Sequence, residues 1–250
     1  MHKTNRSSNL KNRDYSRKLC NENTSFAVSE GFNTVCGNIS YLPIEDKCPV
    51  YGITSAMIGA GKSVVTANVA ASFANSGKKV LIIDCDLRCP VQNKIFSIEG
   101  ENVGLSECLA GLTDKPLDKL VKKTSVAGLD LLTSGRSVPN VAAILSSGRF
   151  DTLIEQARSN YDCIFFDLPP IAVVPDAGIV SRLISGYIMV ARSGYSNLRS
   201  TRNALESFSV INARVLGFVL NDVPLKDKRY YKKSYGYGNG YGYGYGRKRS

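Results

Sequence analysis

Histidine is almost missing: the only one in 250 residues is His2, in a polar terminal stretch. That removes the imidazole on which Ser-His-Asp and Cys-His catalysis depend. The seven cysteines are odd in number and scattered, with no C-x-x-C pair, which argues against a disulfide framework or a zinc site. Cys85 and Cys163 lie within apolar runs and read as buried small hydrophobes in a reducing compartment. No stretch approaches 18 uninterrupted apolar residues and no signal peptide opens the chain, so the expectation is a cytosolic protein.

An excess of charge is also missing from the middle of the chain, although the formal net charge is +11. Six Lys/Arg against Asp14 make residues 1–20 net +5, and eight against Asp227 make residues 226–250 net +7, which leaves net −1 for the stretch between. Such a body offers no basic groove for nucleic acid. The basic tails suit an anionic membrane surface, an acidic partner or solubility alone.

What is present is an alternation of apolar strands and amphipathic segments. Strands are predicted at 50–56, 79–86, 129–135, 162–169, 186–192 and 214–222, with helices at 27–40, 62–76, 140–159, 176–184 and 198–212. Near-continuous Val/Ile/Leu/Phe strands separated by helices predict an α/β fold, a mostly parallel central sheet covered by helices on both faces. Residues 1–24 read as a basic polar N-terminal extension, 25–225 as the folded domain and 226–250 as a flexible tyrosine-rich tail.

Three stretches carry chemistry. "VYGITSA" runs into "MIGAGKSVVTANVA", a strand, a glycine turn and Gly-Lys-Ser opening a helix, the context of a phosphate-binding loop. Gly59, Ala60, Gly61 and Val64 supply backbone at that loop. Lys62 can reach β- and γ-phosphates, and the Ser63 hydroxyl can ligate Mg²⁺. The first consensus glycine is replaced by Ala56. "VLIIDCDLR" places Asp84 and Asp86 at the carboxyl end of a buried strand, on one face by the two-residue period, and "CIFFDLPP" places Asp167 at the end of another.

These stretches, with "LLTSGRSVPNVAAILSS" and the closing tyrosine cluster, resemble the Walker A, A′ and B motifs of the bacterial tyrosine kinases, P-loop enzymes that regulate capsule and exopolysaccharide production. The resemblance runs from about Glu30 to Asn221. It implies ATP and Mg²⁺ as cofactors, Asp86 and Asp167 acting through the metal or its waters, and Asp84 accepting the proton of an incoming tyrosine as an ordinary, weakly basic carboxylate. The phosphoacceptors it implies are Tyr230, Tyr231, Tyr235, Tyr237, Tyr241, Tyr243 and Tyr245, modified between copies of the chain. A separate transmembrane adaptor, a cognate phosphotyrosine phosphatase and a cytoplasmic location at the inner face of the membrane, reached only through the adaptor, are implied too.

Two roles are open for Arg88, support of the second aspartate or contact with a neighbouring subunit. Two are open for Asn221, adenine contact or turn formation, and for Cys85, packing or redox sensitivity. The family's E-x-x-R-x-x-R ring-packing motif keeps Glu30 here but has Asn33 and Cys36 in place of its arginines, which removes bidentate carboxylate pairing. The alternative reading is a septum-positioning or partitioning ATPase. Those proteins carry a second lysine early in the loop, where this chain has Met57.

Overall fold

A computed structural model describes residues 18–100 and 103–224. The strands are β1 (Val50–Ser55), β2 (Val80–Asp84), β3 (Lys122–Lys123), β4 (Leu129–Leu132), β5 (Cys163–Asp167), β6 (Gly186–Arg192) and β7 (Val215–Asn221). They form one sheet in the order β3-β4-β2-β5-β1-β6-β7, parallel throughout except for β3, which runs antiparallel to β4. Every residue of β1, β2, β4 and β5 is buried, as strands covered on both faces must be.

The two-residue period sorts their side chains into two cores. Val80, Ile82 and Phe165 join the core under α1 (Phe26–Ser40) and α2 (Lys62–Asn75), together with Val65, Val69 and Phe73 of α2. Leu81, Ile83 and Phe166 face the opposite core, with Phe150 of α7 (Gly148–Arg158) and Phe208 of α9 (Leu198–Val210). Asp84 and Asp167 share parity with the α2 side. The strand expected to carry both Asp84 and Asp86 ends at Asp84, and Asp86, two residues beyond it, comes to the same side through its 2.7 Å contact with Lys62 of α2.

The expected helix at 140–159 is two helices, α6 (Val141–Leu145) and α7, because two caps compete within it. The Asn140 side chain accepts from the Ala143 N–H to start α6, and the Ser147 hydroxyl accepts from the Arg149 N–H to start α7. The segment expected as a helix at 176–184 is α8 (Asp176–Ile179) followed by a 3₁₀ turn at Ser181–Leu183. Between β2 and β4, where no element was expected, lie α3 (Gln92–Ile95), α4 (Leu105–Ala110), α5 (Leu117–Leu120) and β3. All are too short for periodicity to register.

At the amino-terminal boundary the buried Asn68 of α2 ties the chain down, accepting from the Cys20 N–H at 2.7 Å and donating to the Lys18 carbonyl at 2.9 Å. Among the described residues no helix is long and apolar enough to cross a membrane. The seven tail tyrosines lie outside the described residues.

Candidate active site

β1 sits beside β5 rather than β2, so the carboxyl ends of β1, β5 and β2 open onto a common crevice, where sheets of this kind bind ligands. The loop leaving β1 curls through left-handed backbone at Gly59 (φ 83°) and Gly61 (φ 92°). Alternating handedness of this kind turns successive N–H groups toward one point. At Gly61 even a methyl group would strike the Asn221 amide. Ala56 is not among the positive-φ residues, so its backbone does not call for the glycine of the consensus. Gly61 caps α2 without a side-chain acceptor, leaving the helix's first N–H groups for an anion, with Val64 in that first turn.

The charged centre lies directly beneath. Lys62 Nζ donates to Asp86 Oδ2 at 2.7 Å and to Asp167 Oδ1 at 3.5 Å, and sits 3.2 Å from Ser63 Oγ. Asp84 and Asp167 are register partners on neighbouring strands, both essentially without solvent contact. Burial opposes the charge of Lys62, but the carboxylates of Asp167 and Asp86 outweigh it and hold the ammonium above its ordinary range. Burial, then the charge of Asp167, pushes Asp84 well above the usual carboxylate range, partly offset by the hydrogen bond it accepts from the Gln92 N–H. Burial also raises Asp167, against the pull of Lys62. Asp84 is thus a stronger base than the ordinary carboxylate expected from its type, because the apolar strand that carries it withholds water from its anion.

One central residue was missed by sequence reasoning. Gln92, fully buried, donates its backbone N–H to Asp84 Oδ2 at 3.1 Å and its Nε2 to both the Ser63 carbonyl (3.0 Å) and Asp167 Oδ2 (2.8 Å). It therefore links all three motifs. No sequence signal distinguishes it from any glutamine opening a short helix. Gln92→Leu, which keeps volume but deprives Asp167 of its amide donor, is expected to lower initial phosphorylation rates roughly tenfold and to shift the acid limb of the pH–rate profile upward. Initial rates across pH check this.

Arg88 Nε and Nη2 donate to Asp176 at 2.7 and 2.9 Å, tying the loop after β2 to the buried carboxylate at the start of α8. Asn221 Nδ2 donates to the Ala60 carbonyl at 3.0 Å and so braces the phosphate loop. Cys85 is wholly buried on the face away from Lys62. Burial first, then the neighbouring Asp84, raises its thiol well above the ordinary value, which suits a packing role. On α1, Asn33 donates to Glu30 at 2.9 Å and Cys36 is buried in the core.

A glycine loop capping α2, a lysine held between strand-end carboxylates and a parallel sheet whose strand order reverses beside β1 define a P-loop nucleotide-binding domain. Residues 52–191 match a family model described as an AAA domain. The chain is 34% identical over 205 residues to the putative tyrosine-protein kinase CapB of Staphylococcus aureus, covering 82% of this chain and 89% of that one. It is 37% identical over 203 residues to the tyrosine-protein kinase YwqD of Bacillus subtilis (strain 168), covering 81% and 84%. The solved structure of the chimerical protein CapA2B2 superposes with a TM-score of 0.75 at 33% identity, covering 81% of this chain and 88% of that one. The septum site-determining protein MinD of Pyrococcus horikoshii OT3, with a TM-score of 0.59 at 24% identity over 69% of this chain and 70% of that one, shares the fold alone.

The chain belongs to the family of bacterial tyrosine kinases, and its activity is protein-tyrosine phosphorylation.

Proposed function

We propose that the chain transfers the γ-phosphoryl group of ATP to Tyr230, Tyr231, Tyr235, Tyr237, Tyr241, Tyr243 and Tyr245 of neighbouring copies, and through this regulates capsular or exopolysaccharide synthesis and export. The observation that carries the reading is Lys62, held 2.7 Å from Asp86 and 3.5 Å from Asp167 at the mouth of the glycine loop. A phosphoryl group in flight has its charge spread over equatorial oxygens, and what the protein supplies is placement and opposite charge. The loop amides and the first turn of α2 receive the β- and γ-phosphates, and Lys62 leaves its carboxylates to follow them. Ser63, Asp86 and Asp167 are oxygen donors of the number and kind that suit Mg²⁺, which keeps several waters; when bound, the ion offsets phosphate charge.

Asp84 takes the proton of the acceptor phenol. With an ordinary phenol near ~10 and an ordinary carboxylate near ~4, the raised position of Asp84 narrows the gap that transfer must cross. A separate membrane-spanning adaptor completes the site and brings the chain to the inner face of the membrane, and a cognate phosphatase resets the tail.

The test is to incubate the purified chain with the adaptor's cytoplasmic segment and Mg-ATP, then map phosphotyrosine by mass spectrometry. Modification concentrated on the seven tail tyrosines is expected. A tail left unmodified while other tyrosines are labelled would reject the assignment. Each phosphate adds roughly −1.5 to −2, so full modification turns the basic tail acidic.

A further inference from the structure

Amides that converge on a phosphate leave the carbonyls of the same peptides facing away, where each needs a donor. Three consecutive carbonyls of the phosphate loop have one, each from a different side chain. Tyr195 Oη donates to the Ile58 carbonyl at 3.0 Å, Arg192 Nη1 reaches the Gly59 carbonyl at 3.5 Å, and Asn221 Nδ2 donates to the Ala60 carbonyl at 3.0 Å. The donors come from the end of β6, the turn that follows it and the end of β7. Those strands lie on the opposite side of β1 from β5 and β2, so the loop is gripped from one flank while Asp84, Asp86 and Asp167 occupy the other.

The grip is itself braced. Arg192 pairs with Asp222 through Nε at 2.8 Å and Nη2 at 2.7 Å, and its guanidinium lies 5.5 Å from the centre of the Tyr195 ring. The Ser193 N–H donates to the Asn221 carbonyl at 2.9 Å, locking the two strand ends together. Asp222 takes up left-handed backbone (φ 57°), which turns its carboxylate back toward Arg192.

We propose that Tyr195 and Arg192 are positioning residues for nucleotide binding: with Asn221 they pin three successive loop carbonyls outward, so that the loop amides already face the phosphate site before a nucleoside polyphosphate arrives. The need follows from the loop's own composition. Gly59 and Gly61 permit the required curl but also permit its alternatives, and a loop that samples both loses affinity in proportion to the time spent in the wrong one. The clamp removes that freedom through the outward carbonyls of the loop. The inference rests on the phosphoryl-transfer reading only for the identity of the ligand.

Mg-ADP affinity of the full chain, measured by titration calorimetry, tests this without requiring any phosphotyrosine, so failure of the kinase assignment leaves the result readable. Tyr195→Phe keeps the ring beside Arg192 and deletes only the hydroxyl, and it is expected to weaken Mg-ADP roughly three- to tenfold. Arg192→Ala is expected to fall in the same range, the two together to weaken binding further, and Arg192→Lys to recover part of the loss because it can still donate and still pair with Asp222. In turnover the KM for ATP rises while kcat at saturation stays within about twofold, as pre-organisation of the ground state requires. Wild-type affinity in Tyr195→Phe and Arg192→Ala, or a lowered thermal midpoint with affinity unchanged, would overturn the proposal.

Discussion

Lys62→Met is expected to reduce tail phosphorylation about 10²–10³-fold, the loss that accompanies removal of a single charge donor aimed at developing charge. Methionine matches the length and apolar stem of lysine, so packing against α2 is kept while the ammonium is lost. Two consequences follow from the geometry. The β- and γ-phosphates lose their cationic partner, and Asp86 and Asp167 lose the counter-ion at 2.7 and 3.5 Å. Without it the buried Asp167 is driven further toward its protonated form.

A carboxylate whose folded pKa lies above its unfolded value binds more protons when folded, so its contribution to stability declines as pH rises through that window. The variant's thermal midpoint, measured beside wild type, is therefore expected to fall behind as pH rises through the raised pKa of Asp167. Equal labelling of tail tyrosines by wild type and variant would remove Lys62 from the mechanism.

Asp84→Asn is expected to move activity and stability in opposite directions. The phosphorylation rate falls on the order of 10²–10⁴-fold, as for loss of a positioned general base. The fold becomes more stable, because asparagine ends a repulsion between two buried register partners. Its carbonyl oxygen can still accept the Gln92 N–H that reaches Asp84 Oδ2 at 3.1 Å. Wild-type stability declines with rising pH through the raised pKa of Asp84, and the variant lacks that decline, so the difference between their thermal midpoints widens as pH rises. The acid limb that Asp84 imposes on the rate should vanish with it. A variant that is slower and also less stable at neutral pH would assign Asp84 a merely structural part.

The legible portion of this molecule was the part written in local pattern. Asp84, Asp86 and Asp167 each follow an apolar run that reads as an interior strand, and the two-residue period put the first two on one face. Gly59, Gly61 and Lys62 follow β1 at the spacing that a loop-to-helix anion site needs. Gln92 and the pair Arg192–Tyr195 were illegible for a common reason: their side-chain hydrogen bonds to the site reach atoms 29 to 137 positions away in the chain, a distance no periodicity spans. The division of the helix at 140–159 was readable in principle, since Asn140 and Ser147 are both cap formers, but the apolar spacing across them is continuous. The basicity of Asp84 was misjudged because residue type alone carries no information about how much water the fold withholds.

The sheet's two margins differ in what they admit. β3 is two residues long, antiparallel and composed of Lys122 and Lys123, so a strand arriving there finds few backbone partners and meets positive charge. β7 ends the other margin with seven residues, and Phe218 and Leu220 are exposed along it. Long apolar edges template further strands, whereas short lysine-bearing ones refuse them. Among the described residues one border of the sheet is therefore short and lysine-bearing, and the other, at the strand that also carries Asn221 to the phosphate loop, is long and apolar.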